Sequence, residues 1–184
     1  MSSVEILAAL LGIINVVLVI RRSTWNYPFG LVTVALYFFV FFNAKLYSDA
    51  LLQIFFFGIQ LYGWRAWVVA PHVDDGVAVT AMQVPQRLQW LGATAGASLL
   101  WGLGMARFTD AAAPIVDAIV AGTSVAAQLL QSLRRVEAWM LWILVNTIAV
   151  PLYFSRALYP TTALFAVFLI LSVVGLTEWK RKLA

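Results

Sequence analysis

The chain has 184 residues, of which 63% are hydrophobic and only 11% charged, with a mean hydropathy of +0.91 and a formal charge of +4. A soluble domain carries about 25% charged residues, so water is excluded as its main solvent. Cysteine is absent, which excludes disulfides, thiolate metal sites and a cysteine nucleophile.

In chain order, apolar runs between charged or turn-forming segments predict seven spans, each near the roughly 20 helical residues that cross a hydrocarbon core. The first covers 4–20. No small-residue cleavage site follows it, so it reads as a span rather than a removed signal. The second and third, 28–43 and 47–69, are joined through the tight turn Asn43-Ala44-Lys45-Leu46. A long connection follows, Ala70 to Arg87, with Pro71, His72, Asp74, Asp75, Gly76 and Pro85, and it reads as a solvated linker. The remaining spans are 88–106, 111–131, 137–155 and 158–177.

The basic residues sit in short clusters between these runs, which fits topology control rather than nucleic-acid binding. One side collects Arg21, Arg22, Arg65, Arg87, Arg134, Arg135, Lys180, Arg181 and Lys182; the other only Lys45, Arg107 and Arg156. Lys and Arg are retained on the cytoplasmic side, which predicts the N-terminus outside and the C-terminus in the cytoplasm. Trp67, Trp90, Trp101, Tyr159 and Trp179 fall near span ends, where an interfacial aromatic belt is expected.

Sliding the sequence along itself until Tyr47 meets Tyr159 aligns the third span with the seventh. In that register Phe42 meets Phe154, Leu46 meets Leu158, Leu52 meets Leu164 and Phe56 meets Phe168. Gly63-x-x-x-Trp67 meets Gly175-x-x-x-Trp179. A two-residue change of register brings Arg22-x-x-Trp25 near Arg135-x-x-x-Trp139. The implied plan is an all-α membrane protein of two parallel three-helix repeats with a linker helix between them (3+1+3). Its parts are 1–69, a loop and linker helix at 70–106, and 107–184. Parallel repeats of this kind place a transporter's substrate site at their interface near the midplane.

Polar groups inside a membrane face the bundle interior or a water-filled path. At 100° per residue, Asp49, Gln53, Phe56, Gln60 and Trp64 share one stripe of the third span. Asp117, Ala121, Ser124, Gln128 and Gln131 do so on the fifth, and Trp139, Trp142, Asn146, Val150 and Tyr153 on the sixth. Taken singly, such amides serve as interhelical glue. Together, amides suit ribose hydroxyls and a carboxamide, while Trp and Tyr faces attract a cationic aromatic ring. Gln53, Gln60, Trp64, Gln128, Trp139, Trp142, Asn146 and Tyr153 are the candidate binding residues.

Enzymatic signatures are missing. There is no Gly-x-x-x-x-Gly-Lys-[Ser/Thr] segment for a built-in ATPase, and the sole histidine, His72, lies in the long loop. No cofactor, metal or catalytic residue is expected, and the partners are a small molecule and the lipid bilayer.

The segments Asn26-Tyr27-Pro28-Phe29-Gly30, Lys45 to Gln53, Tyr62-Gly63-Trp64-Arg65-Ala66-Trp67 and the Trp139-x-x-Trp142-x-x-x-Asn146 pattern together resemble the PnuC family of bacterial vitamin transporters. The resemblance implies a SWEET-like 3+1+3 fold in the bacterial inner membrane and a homotrimer. It also implies facilitated diffusion of nicotinamide riboside, trapped by intracellular phosphorylation. The positions that look similar to the family's substrate contacts are Gln53, Trp142 and Asn146, then Trp139. Relatives carrying thiamine or riboflavin keep those vitamins as alternatives; nicotinamide riboside and thiamine both carry a positively charged aromatic ring, and aromatic faces with amides suit either. A binding subunit that depends on a separate ATPase is the other alternative.

Overall fold

The computed structural model describes residues 3–43, 47–74, 76–108, 114–155 and 159–183. Lys45, Leu46, Asp75, Arg156, Leu158 and the Asp49 side chain, all named above, lie outside the description. Seven helices follow one another: α1 Ser3–Ile20, α2 Asn26–Asn43, α3 Tyr47–Val68, α4 Val84–Phe108, α5 Pro114–Ser132, α6 Glu137–Ser155 and α7 Tyr159–Arg181. A two-stranded hairpin, β1 His72–Val73 and β2 Gly76–Val77, lies between α3 and α4.

Five helices, α1, α2, α5, α6 and α7, are long and apolar enough to cross a membrane. The other two are as long but more polar. α3 carries Gln53, Gln60 and Arg65, and α4 carries Gln86, Arg87, Gln89 and Arg107. Large apolar side chains such as Phe39, Leu100 and Ile170 are exposed around the bundle, as expected where hydrocarbon replaces water.

α4 begins earlier than the apolar run suggests. Gln83 ends the loop, and its backbone N–H donates to the Gln86 side chain at 3.2 Å, half of a capping box. Pro85 fits because the first helical turn needs no intrahelical N–H donor. α7 runs on to Arg181, past the predicted end, and its last turn carries an Arg181–Glu178 ion pair at 2.9 Å. Pro151 lies inside α6, where its ring removes one backbone bond from the ladder.

Within the bundle α1 packs on α2, α2 on α3, α5 on α6 and α6 on α7. The two groups meet where α3 packs on α5 and α1 on α7, while α4 packs on α5. Equivalent local geometry recurs in the two groups. After α1, Arg22 takes a left-handed φ of 57°, its N–H bonds Val19 O (2.9 Å), and Ser23 N–H bonds Leu18 O (3.0 Å). After α5, Arg134 has φ 59°, its N–H bonds Gln131 O (2.9 Å), and Arg135 N–H bonds Leu130 O (2.9 Å). Both are Schellman caps, a place usually held by glycine. The register that pairs Tyr47 with Tyr159 therefore holds here too. It matches Arg22 with Arg134, without the two-residue change that sequence alignment suggests. Apolar side chains match at neighbouring offsets too easily to fix a register; backbone capping bonds do not.

The connection between α3 and α4 is not a solvated linker throughout. Its exposed tip, His72 to Asp74, reaches solvent, but Val77 and Val79 have no exposed surface and Met82 is buried. The chain folds inward after the hairpin and fills the space between the ends of the two helix groups. Val77, Val79, Val19, Tyr27, Val136 and three tryptophans form one apolar cluster there.

Candidate binding site in the helix bundle

The α6 stripe faces inward as predicted over its first half. Trp139 is 1% exposed and stands edge-on to Trp179, with ring centroids 5.5 Å apart at 88°. Gly175 of α7 makes that approach feasible, because a Cβ there would come within 2.6 Å of the Trp139 ring. The Trp139 indole N–H is buried and has no hydrogen-bond partner among the described residues. One turn on, Trp142 donates its indole N–H to Gln131 Oε1 of α5 at 2.9 Å. Asn146 is buried and donates through Nδ2 to Ser172 Oγ of α7 at 3.2 Å. Ser172 in turn donates to Phe168 O at 2.7 Å. Tyr153, half-buried, tilts against Phe165 at 5.0 Å.

Two hydrogen-bonded pairs thus lie one turn apart along α6: Trp142 with Gln131 of α5, and Asn146 with Ser172 of α7. Gln128 lies half-buried one turn before Gln131. Amide and hydroxyl groups here can give and accept hydrogen bonds, and the Trp142 ring offers a π face. Such groups are worth more in a water-poor interior than at the surface.

The α3 candidates have different surroundings. Gln60 is buried, and its side-chain oxygen fills the space that a Cβ at Gly30 would occupy. Asn15 of α1 reaches the same place and donates through Nδ2 to Asn26 O at 2.6 Å. Gln53 is half-buried in an otherwise apolar cleft of about 250 Å³ between α2 and α3, with Val34, Phe38 and Phe57. Trp64 sits in an outer groove with Leu61, Arg65 and Val68. The structure therefore packs the α6 candidates against α5 and α7, buries Gln60 among α1 and α2, and leaves Gln53 in the α2–α3 cleft and Trp64 in an outer groove.

Ser172, Asn15 and Asn26 escape the sequence reading. Ser172 carries a signal, since the repeat register pairs it with Gln60. By the same register Trp142 corresponds to Gly30, so the bulky ring of one group matches a glycine in the other, where Gln60 and Asn15 fill the space. Asn15 carries no comparable signal, because a single asparagine in an apolar run reads as glue, and Asn26 shows only as part of the Asn26-Tyr27-Pro28-Phe29-Gly30 segment.

Two of the tryptophans expected in an interfacial belt belong to the core. Trp67 and Trp179 have no exposed surface. Tyr27 stands edge-on to Trp67 (5.3 Å, 88°), matching the Trp139–Trp179 pair, and the Trp67 and Trp179 rings are 6.1 Å apart. Their indole N–H groups cross between the helix groups: Trp67 donates to Ser132 O (3.2 Å) and Gln131 O (3.3 Å), and Trp179 donates to Val19 O (3.1 Å). The acceptors are carbonyls at helix C-termini, which lack intrahelical donors. Trp101 and Tyr159 stay exposed, as a belt requires.

An all-helical bundle with five apolar spans and an interior set of amides and aromatics defines a polytopic membrane protein. The family model described as nicotinamide mononucleotide transporter matches residues 2–181. The nicotinamide riboside transporter PnuC of Escherichia coli K12 is 24% identical, over 97% of this chain and 85% of that protein. The PnuC of Neisseria mucosa is 29% identical, over 95% and 70% respectively. The riboflavin/roseoflavin transporter RibM of Streptomyces davaonensis is 25% identical, over 95% and 83%. A crystal structure of the vitamin B3 transporter PnuC superposes with a TM-score of 0.82 at 28% identity, over 95% of this chain and 79% of that one. The chain belongs to the nicotinamide mononucleotide transporter family, whose members are membrane transporters and not enzymes.

Proposed function

We propose that this protein takes up nicotinamide riboside by facilitated diffusion across a bacterial inner membrane, with phosphorylation inside the cell trapping the product. The observation that carries this is the joint Trp142–Gln131 and Asn146–Ser172 arrangement in a chain matched along nearly its whole length to nicotinamide riboside transporters. The Trp142 ring packs on the cationic nicotinamide ring, the amides of Asn146 and Gln131 read its carboxamide and ribose, and Trp139, Gln128 and Tyr153 shape the pocket. Gln53, Gln60 and Trp64 of α3 serve the path to that pocket rather than its walls.

Seven spans in a 3+1+3 order carry the site, with repeats at 1–69 and 107–184 and a loop plus linker helix at 70–106. The recurrence of capping bonds and Trp pairs in one register supports this plan, as does the crossed exchange of indole hydrogen bonds between the groups. The arginine-rich ends face the cytoplasm, with the N-terminus outside, and the assembled form is a homotrimer. Cysteines introduced at Ser2 and Ala184 test the orientation in intact spheroplasts. An impermeant thiol reagent should label the first and spare the second; the reverse pattern refutes it.

Riboflavin is the second reading, favoured by the likeness to RibM. Proteoliposomes containing only this protein should equilibrate nicotinamide riboside without ATP or an ion gradient, with riboflavin and thiamine competing weakly. Uptake of riboflavin in its place reverses the substrate assignment. A requirement for ATP or a second protein refutes facilitated diffusion.

A further inference from the structure

Residues Gly76 to Met82 cross the arginine-rich end of the bundle and touch both helix groups. Val77 and Val79 of this strap are fully buried, in the same cluster as Trp67, Trp139 and Trp179. A solute leaving between the groups at this end must displace them.

The strap's bonds are unevenly shared. On the second group, Thr80 N–H donates to Arg134 O (3.1 Å), and Val136 N–H donates to Thr80 O (3.0 Å). Arg135 Nη1 donates to Thr80 Oγ1 (2.9 Å), and Met82 N–H donates to Glu137 Oε1 (2.9 Å). Val79 also bridges to Leu183 after α7. On the first group, the hydrogen bonds described pass through a single residue. Val77 N–H donates to Arg22 O (3.1 Å), and the Arg22 guanidinium donates back to Val77 O (3.3 Å) and Val73 O (3.2 Å). Gly76 permits this contact, since a Cβ there would come within 2.6 Å of Arg22 Cβ.

Arg22 itself is buried and holds a left-handed φ at a cap position that glycine fills with less strain. Its guanidinium gives a reason for arginine there. We propose that the strap is the inner gate of the transport path, carried by the second helix group and latched to the first by Arg22. The gate rests on the transport reading above. As the groups rock, the latch parts at Arg22, Val77 leaves its cavity, and solute passes; the bonds to Thr80 and Met82 keep the strap registered for reclosing. Arg22 is a positioning residue in this scheme and touches no substrate.

The chain contains no cysteine, so Val77→Cys supplies a single thiol. In proteoliposomes, its labelling by a membrane-permeant maleimide is followed with and without substrate, alongside uptake. The substrate is whichever of nicotinamide riboside and riboflavin the unmodified protein carries. Labelling should be slow at rest and severalfold faster during transport. Adding Arg22→Gly, which keeps the left-handed cap and removes the guanidinium, should raise the resting rate by about tenfold. Arg134→Gly gives the same backbone relief in the other group; it removes the Arg134 guanidinium bond to Ala66 O of α3 (2.9 Å) but no side-chain bond to the strap, and should raise the rate far less. Val79→Cys, equally buried, replaces Val77→Cys if that variant does not fold. Substrate-independent labelling during measured uptake overturns the gate, as does an equal effect of the two glycine variants. Riboflavin uptake with substrate-dependent labelling overturns only the nicotinamide riboside assignment. Uptake of neither vitamin overturns both.

Discussion

Gly175→Ala places one methyl group against a ring that has nowhere to go. The new Cβ would lie 2.6 Å from Cε2, Cζ2 and Cη2 of Trp139. That ring is 1% exposed and held edge-on by Trp179, itself fully buried, so it cannot swing aside without moving α6. Overpacking of this kind costs about 1–3 kcal/mol. Alanine in a helix interior recovers up to about 1 kcal/mol relative to glycine, leaving a small net loss that alone would be hard to interpret. Gly92 of α4 provides the comparison, because a Cβ there meets nothing within 4 Å. Gly92→Ala carries the helix gain without the clash, so the gap between the two variants isolates roughly 1–3 kcal/mol. At about 2–4 °C per kcal/mol for a chain of this size, thermal unfolding of the purified protein should separate them by at least about 2 °C. Gly175→Ala unfolding at or above the temperature of Gly92→Ala would show that α6 and α7 are not packed this closely.

The other expectations concern binding and the arginine-rich end. Trp142→Ala and Asn146→Leu should each weaken nicotinamide riboside binding by about tenfold or more, since a buried cation–π contact is worth up to about 2 kcal/mol and about 1.4 kcal/mol is one decade. Trp64→Ala, at an outer groove, should cost less; calorimetric titration decides, and unchanged affinity in both interior variants would mean that packing has been mistaken for a pocket. Glu137 accepts from both Met82 N–H and Arg87 Nε–H at 2.9 Å, and Glu137→Ala strands a buried N–H at about 1–3 kcal/mol. Glu137→Gln keeps an acceptor and should lose less; equal unfolding temperatures for the two refute this role. Lys182, hydrogen-bonded to Asp74 at 2.9 Å, holds that carboxyl below the usual carboxylate range. A depressed pKa adds stability above the unfolded value of about 3.9 and loses it as pH falls through the folded one. The small difference in unfolding temperature between wild type and Asp74→Asn should therefore hold at pH 7 and vanish in acid; a difference that grows with acidity refutes the pair.

Much of the molecule is legible in its sequence because the bilayer imposes a simple rule. Backbone groups in hydrocarbon must be bonded internally, so a long apolar run has essentially one structure, and all seven helices lie where such runs predict them. Inward faces follow from the cost of burying amides, which is why the α6 stripe is readable from Trp139 to Asn146. The α3 stripe is less so. Gln53, Gln60 and Trp64 share one side of a helix, but that helix meets α2 on one flank and α5 on another, and neighbours rather than spacing decide what each residue touches.

The sequence by itself determined the helices, the family, the amide-and-aromatic character of the interior and the asymmetry of basic charge. Each depends on composition or on contacts within a few residues along the chain. Only the tertiary structure decided that Ser172 partners Asn146, that Trp67 and Trp179 exchange hydrogen bonds between helix groups, and that the α3–α4 connection is buried. Trp67 bonds Gln131 and Trp179 bonds Val19 across long stretches of intervening chain. A loop with Pro, Gly and Asp carries no local mark of the carbonyls it will meet. It bonds backbone groups just past two capped helix ends, such as Arg22 O and Arg134 O, and those become neighbours only after the helices have packed.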